Sequence, residues 1–514
     1  MHNVPRAVLV FLICIPLALW VGWLAAAPDS TSFQLLVLLF GIIALPALLR
    51  WHHLFLLLSW NAYMNVPGFP GTPPLWIVLA SLSLGIFIVR NTINRKFHFL
   101  MERSLARPLL AMGVVVAVTG FLRGGLSVNA AGGALWGGRN YFYIFAAIAG
   151  CFAITGAPIA SEKGSRTVAL YFLSPITALI SNLIYLLGPA FYFLYYFFDT
   201  NFLDVQVQAD YGPMNSNIFR IAGLSFAGYS IILFVLARYG LGWLFRLRSF
   251  SKFKGWWYAC LIASSIIAVL LGGFRVWLFF VVVLLATQFV LEGLHRTKIL
   301  LFALFAACLC GITILTFSDK MPLAVQRTLS FLPVKIDNMA RLEAQETARW
   351  RFEMWGAILD EAPKYLLLGK GYKYDQNEYE MAKARALTGE GKPWEPYIID
   401  SSYHNGPLSL LVPLGLGGSV VFLWFLIAAG RILYRNYRYS SSPLLKANTC
   451  LLAFFITQTI FYIFAFGDFA HDFARFAGAV GLSISLNRGV QSVQKTPVAA
   501  TKFATGFKLE AAKG

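Results

Sequence analysis

Apolar runs long enough to cross a bilayer recur from one end of this chain to the other, and that repetition constrains the fold more than any other feature. A helix needs about 20 mostly apolar residues to span the hydrocarbon layer. Inside that layer only helices and closed barrels satisfy every backbone donor and acceptor, and runs of this length select the helix. Fourteen segments are read as spans, at 5–26, 33–49, 54–66, 73–89, 108–122, 140–158, 168–198, 221–237, 256–272, 275–292, 299–317, 406–430, 447–466 and 471–487. Ser174-Pro175 and Gly188-Pro189 fall inside the long seventh segment and predict a kinked or broken helix there, because proline removes a backbone donor. Only 13% of the residues are charged, against about a quarter in soluble domains. The fold class is therefore an all-α polytopic membrane protein. The first apolar stretch is read as a retained span, because no convincing small-residue cleavage site follows it.

The net charge of +19 would suggest nucleic acid in a soluble protein. Here the charges sort by side of the membrane. With the N-terminus inside, the cytoplasmic segments hold 25 Lys and Arg against 4 Asp and Glu, and the outer segments 17 against 19. Clusters at Arg90, Arg95, Lys96, Arg103 and Arg107, and at Arg238, Arg246, Arg248, Lys252 and Lys254, carry much of the bias. Positive charge retained on the cytoplasmic side orients the chain, and it also meets anionic lipid. Nucleic acid is excluded as a partner; membrane lipids are expected. Both termini are placed in the cytoplasm, in an inner, cytoplasmic membrane. The six cysteines all lie in apolar runs without CxxC spacing, which points to buried small side chains and away from disulfides or a metal site.

This topology divides the chain into a bundle of about eleven spans over 1–317, an extracytoplasmic loop domain over 318–405, about three further spans over 406–487, and a tail over 488–514. Within the loop, Asn338 is read as the cap of a helix whose apolar residues, from Met339 to Leu359, recur at mostly helical spacing until Pro363 ends it. Residues 369–399 read as a structured loop or lid.

Four arginines stand outside the cytoplasmic pattern: Arg123 and Arg139 flank one outer turn, Arg220 opens a span, and Arg275 sits at another outer turn. A cation at that depth either snorkels to the interface or meets an anion. Guanidinium forks match phosphate oxygens, so the four are candidate diphosphate-binding residues. Glycines crowd the turn between Arg123 and Arg139, either to let a ligand approach the backbone or to pack helices tightly. Among the histidines, His404 in Ser401-Ser402-Tyr403-His404-Asn405-Gly406 stands where the loop re-enters the membrane, and His471, near Asp468 and Asp472, is the second candidate.

The stretch His404-Asn405, Leu408, Leu411, Leu414-Gly415, Gly417-Gly418 resembles the signature that closes the large outer loop in the O-antigen ligase and O-antigen polymerase superfamily. Arg349-Trp350-Arg351 with Trp355, then Pro363 and Leu368-Gly369-Lys370-Gly371-Tyr372, resemble the same family's loop helix and the glycine turn after it. Gly272-Gly273-Phe274-Arg275 resembles its small-residue turn before an arginine, with Phe274 in place of the usual serine. The resemblance implies a GT-C-like, inverting glycosyltransferase that takes a glycan from undecaprenyl diphosphate at the outer face of the inner membrane. It also implies that Arg275 grips the diphosphate, that His404 acts near the acceptor hydroxyl or the phosphate, and that Arg349 or Arg351 assists from the loop. Glu353, Glu395 and Asp400 are candidates to orient His404 or to serve as base, and Asn405 accompanies it. A histidine titrating near neutrality could take the acceptor proton. No cofactor or metal is expected, since guanidinium supplies fixed positive charge and no DxD-like pair is present.

Two activities share that donor. A ligase moves the glycan onto a lipid A core or similar acceptor; a polymerase moves it onto a second lipid-linked glycan. The acceptor pocket would separate them, and the loop motif is closer to the ligase. A transporter or lipid flippase would need charged residues at mid-membrane, where most of these spans are apolar. A scaffold for envelope assembly would leave the outer arginines replaceable.

Overall fold

The computed structural model describes residues 15–16, 18–19, 22, 30–69, 72–94, 99–126, 135–200, 221–245 and 253–491. The expected first span and the tail beyond residue 491 lie largely outside the described residues, as does Arg220. Among the described residues the fold is all-α apart from one ribbon of two two-residue strands. Its helices are α1 (Ser30–Ser59), α2 (Leu75–Ile93), α3 (Arg103–Arg123), α4 (Gly138–Ile154), α5 (Ser161–Leu173), α6 (Thr177–Leu187), α7 (Ala222–Tyr239), α8 (Phe253–Leu271), α9 (Arg275–Leu291) and α10 (Ile299–Phe317). After them come α11 (Leu323–Thr328), α12 (Asn338–Glu361), α13 (Gln376–Thr388), α14 (Glu395–Ile399), α15 (Gly406–Arg438), α16 (Leu445–Phe464) and α17 (Phe469–Asn487). Among the described residues, eight helical segments are long and apolar enough to cross a membrane.

The segments expected at 33–49 and 54–66 meet within α1 at a kink, where Trp51 (φ −117°, ψ +17°) leaves helical geometry between two helical stretches. Just after the kink both histidines find partners: the His52 ring meets the Ser83 hydroxyl at 2.6 Å, and His53 Nε2 donates to the Ile154 carbonyl at 2.9 Å. Ser174–Ile176 interrupts α5 and α6 as a short 3-10 turn, at the expected proline.

Helix α17 is the axis of the bundle, with nearly every residue from Phe469 to Asn487 buried. Its Gly478 and Gly481 lie against Trp60 and Cys151, so α1 and α4 approach it closely. At the end of the bundle away from residues 318–405, Asn436, Asn448, Asn487 and Ser483 form a buried hydrogen-bonded cluster joining α15, α16 and α17.

At the other end, residues 318–405 form a helical cap. The N-cap of α12 is Asp337, one residue before the expected Asn338; its carboxylate accepts from Met339 N at 2.8 Å. Met354 and Ile358 pack with Tyr403, Leu408 and Val412 in a small core of their own, so the loop helix is fixed to the start of α15. Arg327 anchors the other side, with an ion pair to Glu343 at 3.1 Å and a bond to the Gly273 carbonyl at 2.6 Å.

The turn at Leu368–Tyr372 is threaded into a break in α15. Pro413 and Gly415 (φ +67°) interrupt that helix, and the carbonyls of Val412 and Pro413 accept instead from Lys370 N at 2.7 Å and Gly371 N at 3.0 Å. Gly369 has φ +74°, and a Cβ there would overlap the Pro413 carbonyl, so glycine is required on both counts. The ribbon pairs β1 (Leu135–Trp136) antiparallel with β2 (Tyr374–Asp375), tying the glycine-rich turn to the cap. Gly137, Gly124 and Gly125 pack against Tyr372 and Lys373, which favours the packing explanation for those glycines.

Candidate functional site

Asn405 fixes the position of His404. Its side chain accepts from Leu408 N at 3.1 Å and caps α15, a structural task that occupies the amide. His404 itself has φ +51°, and Ser401 +66°, conformations uncommon for residues with a Cβ. Trp355 Nε1 donates to the Tyr403 carbonyl at 2.8 Å, which helps to hold this strained stretch against the loop helix.

The His404 ring sits in an aromatic cage, with ring centres 5.0 Å from Tyr397, 5.0 Å from Phe466 and 5.6 Å from Trp350. Burial first, and then the Arg351 guanidinium, hold its pKa down to about 3. The ring is therefore neutral at physiological pH and a weak base, unlike the near-neutral titration expected from sequence.

Arg351 reaches the same cage. Its guanidinium lies over Trp350 at 5.5 Å and Phe466 at 5.9 Å. Its Nε is buried without a hydrogen-bond partner among the described residues. Burial, and then repulsion from Arg275, lower its pKa to about 10. Arg275, at the N-terminus of α9, donates from Nη2 to the Ala344 carbonyl at 3.3 Å. Two guanidinium groups thus approach each other with no carboxylate in ion-pair contact with either, among the described residues. That arrangement suits an anion.

The other expected residues go elsewhere. Arg349 is exposed and pairs with Glu353 at 3.0 Å and Glu346 at 3.7 Å on the outer face of α12. Glu395 pairs with Arg385 at 3.5 Å. Arg123 donates to the Gly369 carbonyl at 2.8 Å and so pins the glycine turn. Arg139 donates to Tyr143 Oη at 3.0 Å. Asp400 accepts from Ser402 N at 2.9 Å; burial, with Asp468 nearby, pushes its pKa up to about 7 against that hydrogen bond.

A second polar group completes the site, and sequence reading found only part of it. At the start of α17, His471 Nδ1 meets Asp468 Oδ2 at 2.7 Å. Burial opposes charge on Asp468, yet His471 and the Ala470 amide hold its pKa below the usual value. One turn deeper, Arg475 Nη1 donates to Asp472 Oδ1 at 2.8 Å and Nη2 to Tyr63 Oη at 3.2 Å. Arg475 was missed, although positions 468, 471, 472 and 475 fall on one helical face and so mark a polar stripe on an apolar segment. Ser402, His404, Phe466, Asp468, His471, Asp472 and Arg475 line one cavity, with about 490 Å³ of empty space. Among the described residues, no three His, Cys, Asp or Glu side chains come together as a metal-ligand set.

Residues 221–423, from just before α7 into α15, match the O-antigen ligase family. No curated protein matches the chain significantly. The matched segment contains Arg275, Arg351 and His404, whereas Asp468, His471 and Arg475 lie outside it.

Proposed function

From the match of residues 221–423 to the O-antigen ligase family, we propose that this chain transfers a glycan from undecaprenyl diphosphate to a hydroxyl of a lipid A core or similar acceptor at the outer face of the inner membrane. The observation that carries the proposal is the buried Arg351 guanidinium, unpartnered at Nε and facing Arg275 beside His404. Burying a cation is costly unless something compensates, and a diphosphate supplies two charged groups of fitting shape.

In this reading Arg275 and Arg351 hold the diphosphate and stabilise the charge that grows on its oxygen as the bond to sugar C1 breaks. The acceptor oxygen attacks C1 from the opposite face and inverts the anomeric centre. The products are the glycosylated acceptor, undecaprenyl diphosphate and a proton. His404, neutral, orients the reacting oxygens by hydrogen bonding and need not ionise. His471 is the better-placed proton acceptor, because Asp468 fixes its tautomer and stabilises the imidazolium that forms. No metal is assigned a role.

The test is a purified full-length chain in lipid nanodiscs, given undecaprenyl-diphosphate glycan and lipid A core. A single glycan transferred per acceptor is expected, and a ladder of longer chains would point to polymerisation. His404→Ala should abolish transfer while the protein inserts and melts normally. Transfer at the wild-type rate by that variant removes His404 from the mechanism.

A further inference from the structure

A second cavity, with about 670 Å³ of empty space including its mouth, adjoins the first and shares His471 and Arg475 with it. Its walls come from the segment just after α1, the start of α2, and from α4, α7 and α17. Trp60, Tyr63, Trp76, Tyr143 and Tyr229 line it, together with Asp199. The aromatic rings are set by one another: Trp60 lies 5.1 Å from Trp76, Trp76 meets Tyr143 edge-on at 5.7 Å, and Tyr143 lies 4.6 Å from the His471 ring. Trp60 Nε1 donates to the Ala474 carbonyl at 3.0 Å, which ties these rings to α17.

We infer that this aromatic cavity seats a sugar ring of the acceptor, presenting its hydroxyl to His471 in the adjoining cavity; the assignment rests on the transferase reading above. A pyranose has one face of C–H groups carrying partial positive charge and a rim of hydroxyls. Aromatic faces carry negative potential and suit the first; Arg475 and the Tyr63 hydroxyl suit the second. Concave sites with aromatic walls and a few convergent polar groups are the usual form of small-ligand pockets. Other occupants fit less well. A diphosphate here would face Asp199, Asp468 and Asp472 across the two cavities, and a lipid chain would bury the ion-paired Arg475 and Asp472 against hydrocarbon. The donor clamp also lies at the opposite end: Arg351 is stacked over Phe466, which lines the His404 cavity but not the aromatic one.

The test uses wild type, Trp76→Leu and Ala474→Leu in nanodiscs, the first variant removing an aromatic wall and the second filling the cavity from α17. Saturation-transfer NMR with delipidated lipid A core oligosaccharide, without donor, should show transfer to sugar ring protons in wild type and a loss of at least about fivefold in both variants, the scale of one aromatic contact. No transfer in wild type, or equal transfer in all three, overturns the assignment. In the complete reaction, the acceptor KM should rise about fivefold to tenfold while the donor KM stays within about twofold. A rise in donor KM alone overturns it as well. Melting curves identify a variant that fails to fold, and the other variant then carries the test. Because saturation transfer needs no turnover, sugar binding in the cavity without transfer would reject the transferase reading and keep the subsite. Transfer with an unchanged acceptor KM would do the reverse.

Discussion

Arg351 offers a sharp test, because its charge should cost stability and supply function. Its pKa falls from 12.5 to about 10, through burial and through repulsion from Arg275. Each unit corresponds to about 1.4 kcal/mol, so holding the charge at neutral pH costs roughly 3 kcal/mol before solvent screening, and on the order of 2 kcal/mol after it for a half-buried group. Stacking over Trp350 and Phe466 offsets roughly 1 kcal/mol. Methionine keeps the apolar stem and removes the charge. Arg351→Met should therefore melt about 1–3 °C higher than wild type while losing donor binding. Differential scanning fluorimetry in nanodiscs reads the first effect. Inorganic diphosphate reads the second: it should raise the melting temperature of wild type by mass action and leave Arg351→Met unmoved. A variant that melts several degrees lower, and still responds to diphosphate as wild type does, would show that the guanidinium is structural and refute the clamp.

Arg349→Ala, two residues away, should transfer glycan within about twofold of wild type, since the exposed pairs with Glu346 and Glu353 are screened by water; initial rates decide it. Gly369→Ala forces a side chain into a left-handed position against the Pro413 carbonyl, at a cost of at least roughly 1–3 kcal/mol. Limited proteolysis should cut residues 376–399 faster in that variant. Asp400 binds a proton in the folded protein up to about pH 7, whereas an ordinary aspartate releases it near 3.8. Stability should consequently fall as pH rises from about 4 to about 7 and level off above, by on the order of 2 kcal/mol after screening. Asp400→Asn should flatten that profile and melt higher than wild type at alkaline pH, despite the neighbouring Asp468 and Lys370; an unchanged profile assigns the dependence to another group.

Local signals in the sequence translated well. The end of α12 before Pro363, the glycine turn at Leu368–Tyr372 and the proline break after α5 each depend on backbone chemistry within a few residues. Contacts between distant segments did not translate. Arg475 and Tyr63 are 412 residues apart, and the ion-paired face of α17 gives no hint of that partner. The choice between Arg349 and Arg351 was legible but unread. At 100° per residue the two point to nearly opposite faces, and Arg351 shares the stripe of Met354 and Ile358 at i+3 and i+7. Those two residues are buried, so the apolar stripe already indicated which arginine turns inward.

The division of the site across the chain has a chemical sense on the transferase reading. Arg275, Arg351 and His404 lie in the residues that match the O-antigen ligase family, and they face the diphosphate, a group common to every donor of this class. His471, Arg475 and most of the aromatic cavity lie on either side of the matched segment, with Tyr229 alone of its named aromatic walls inside it, and there an acceptor would bind. A clamp for an invariant group can be built from a few residues with short-range sequence signatures. A pocket for a variable sugar is assembled from four helices and the segment after α1, whose contacts leave no common motif. Exchanging the aromatic wall between two such enzymes, with Arg275, Arg351 and His404 untouched, should then move acceptor choice and leave donor choice in place.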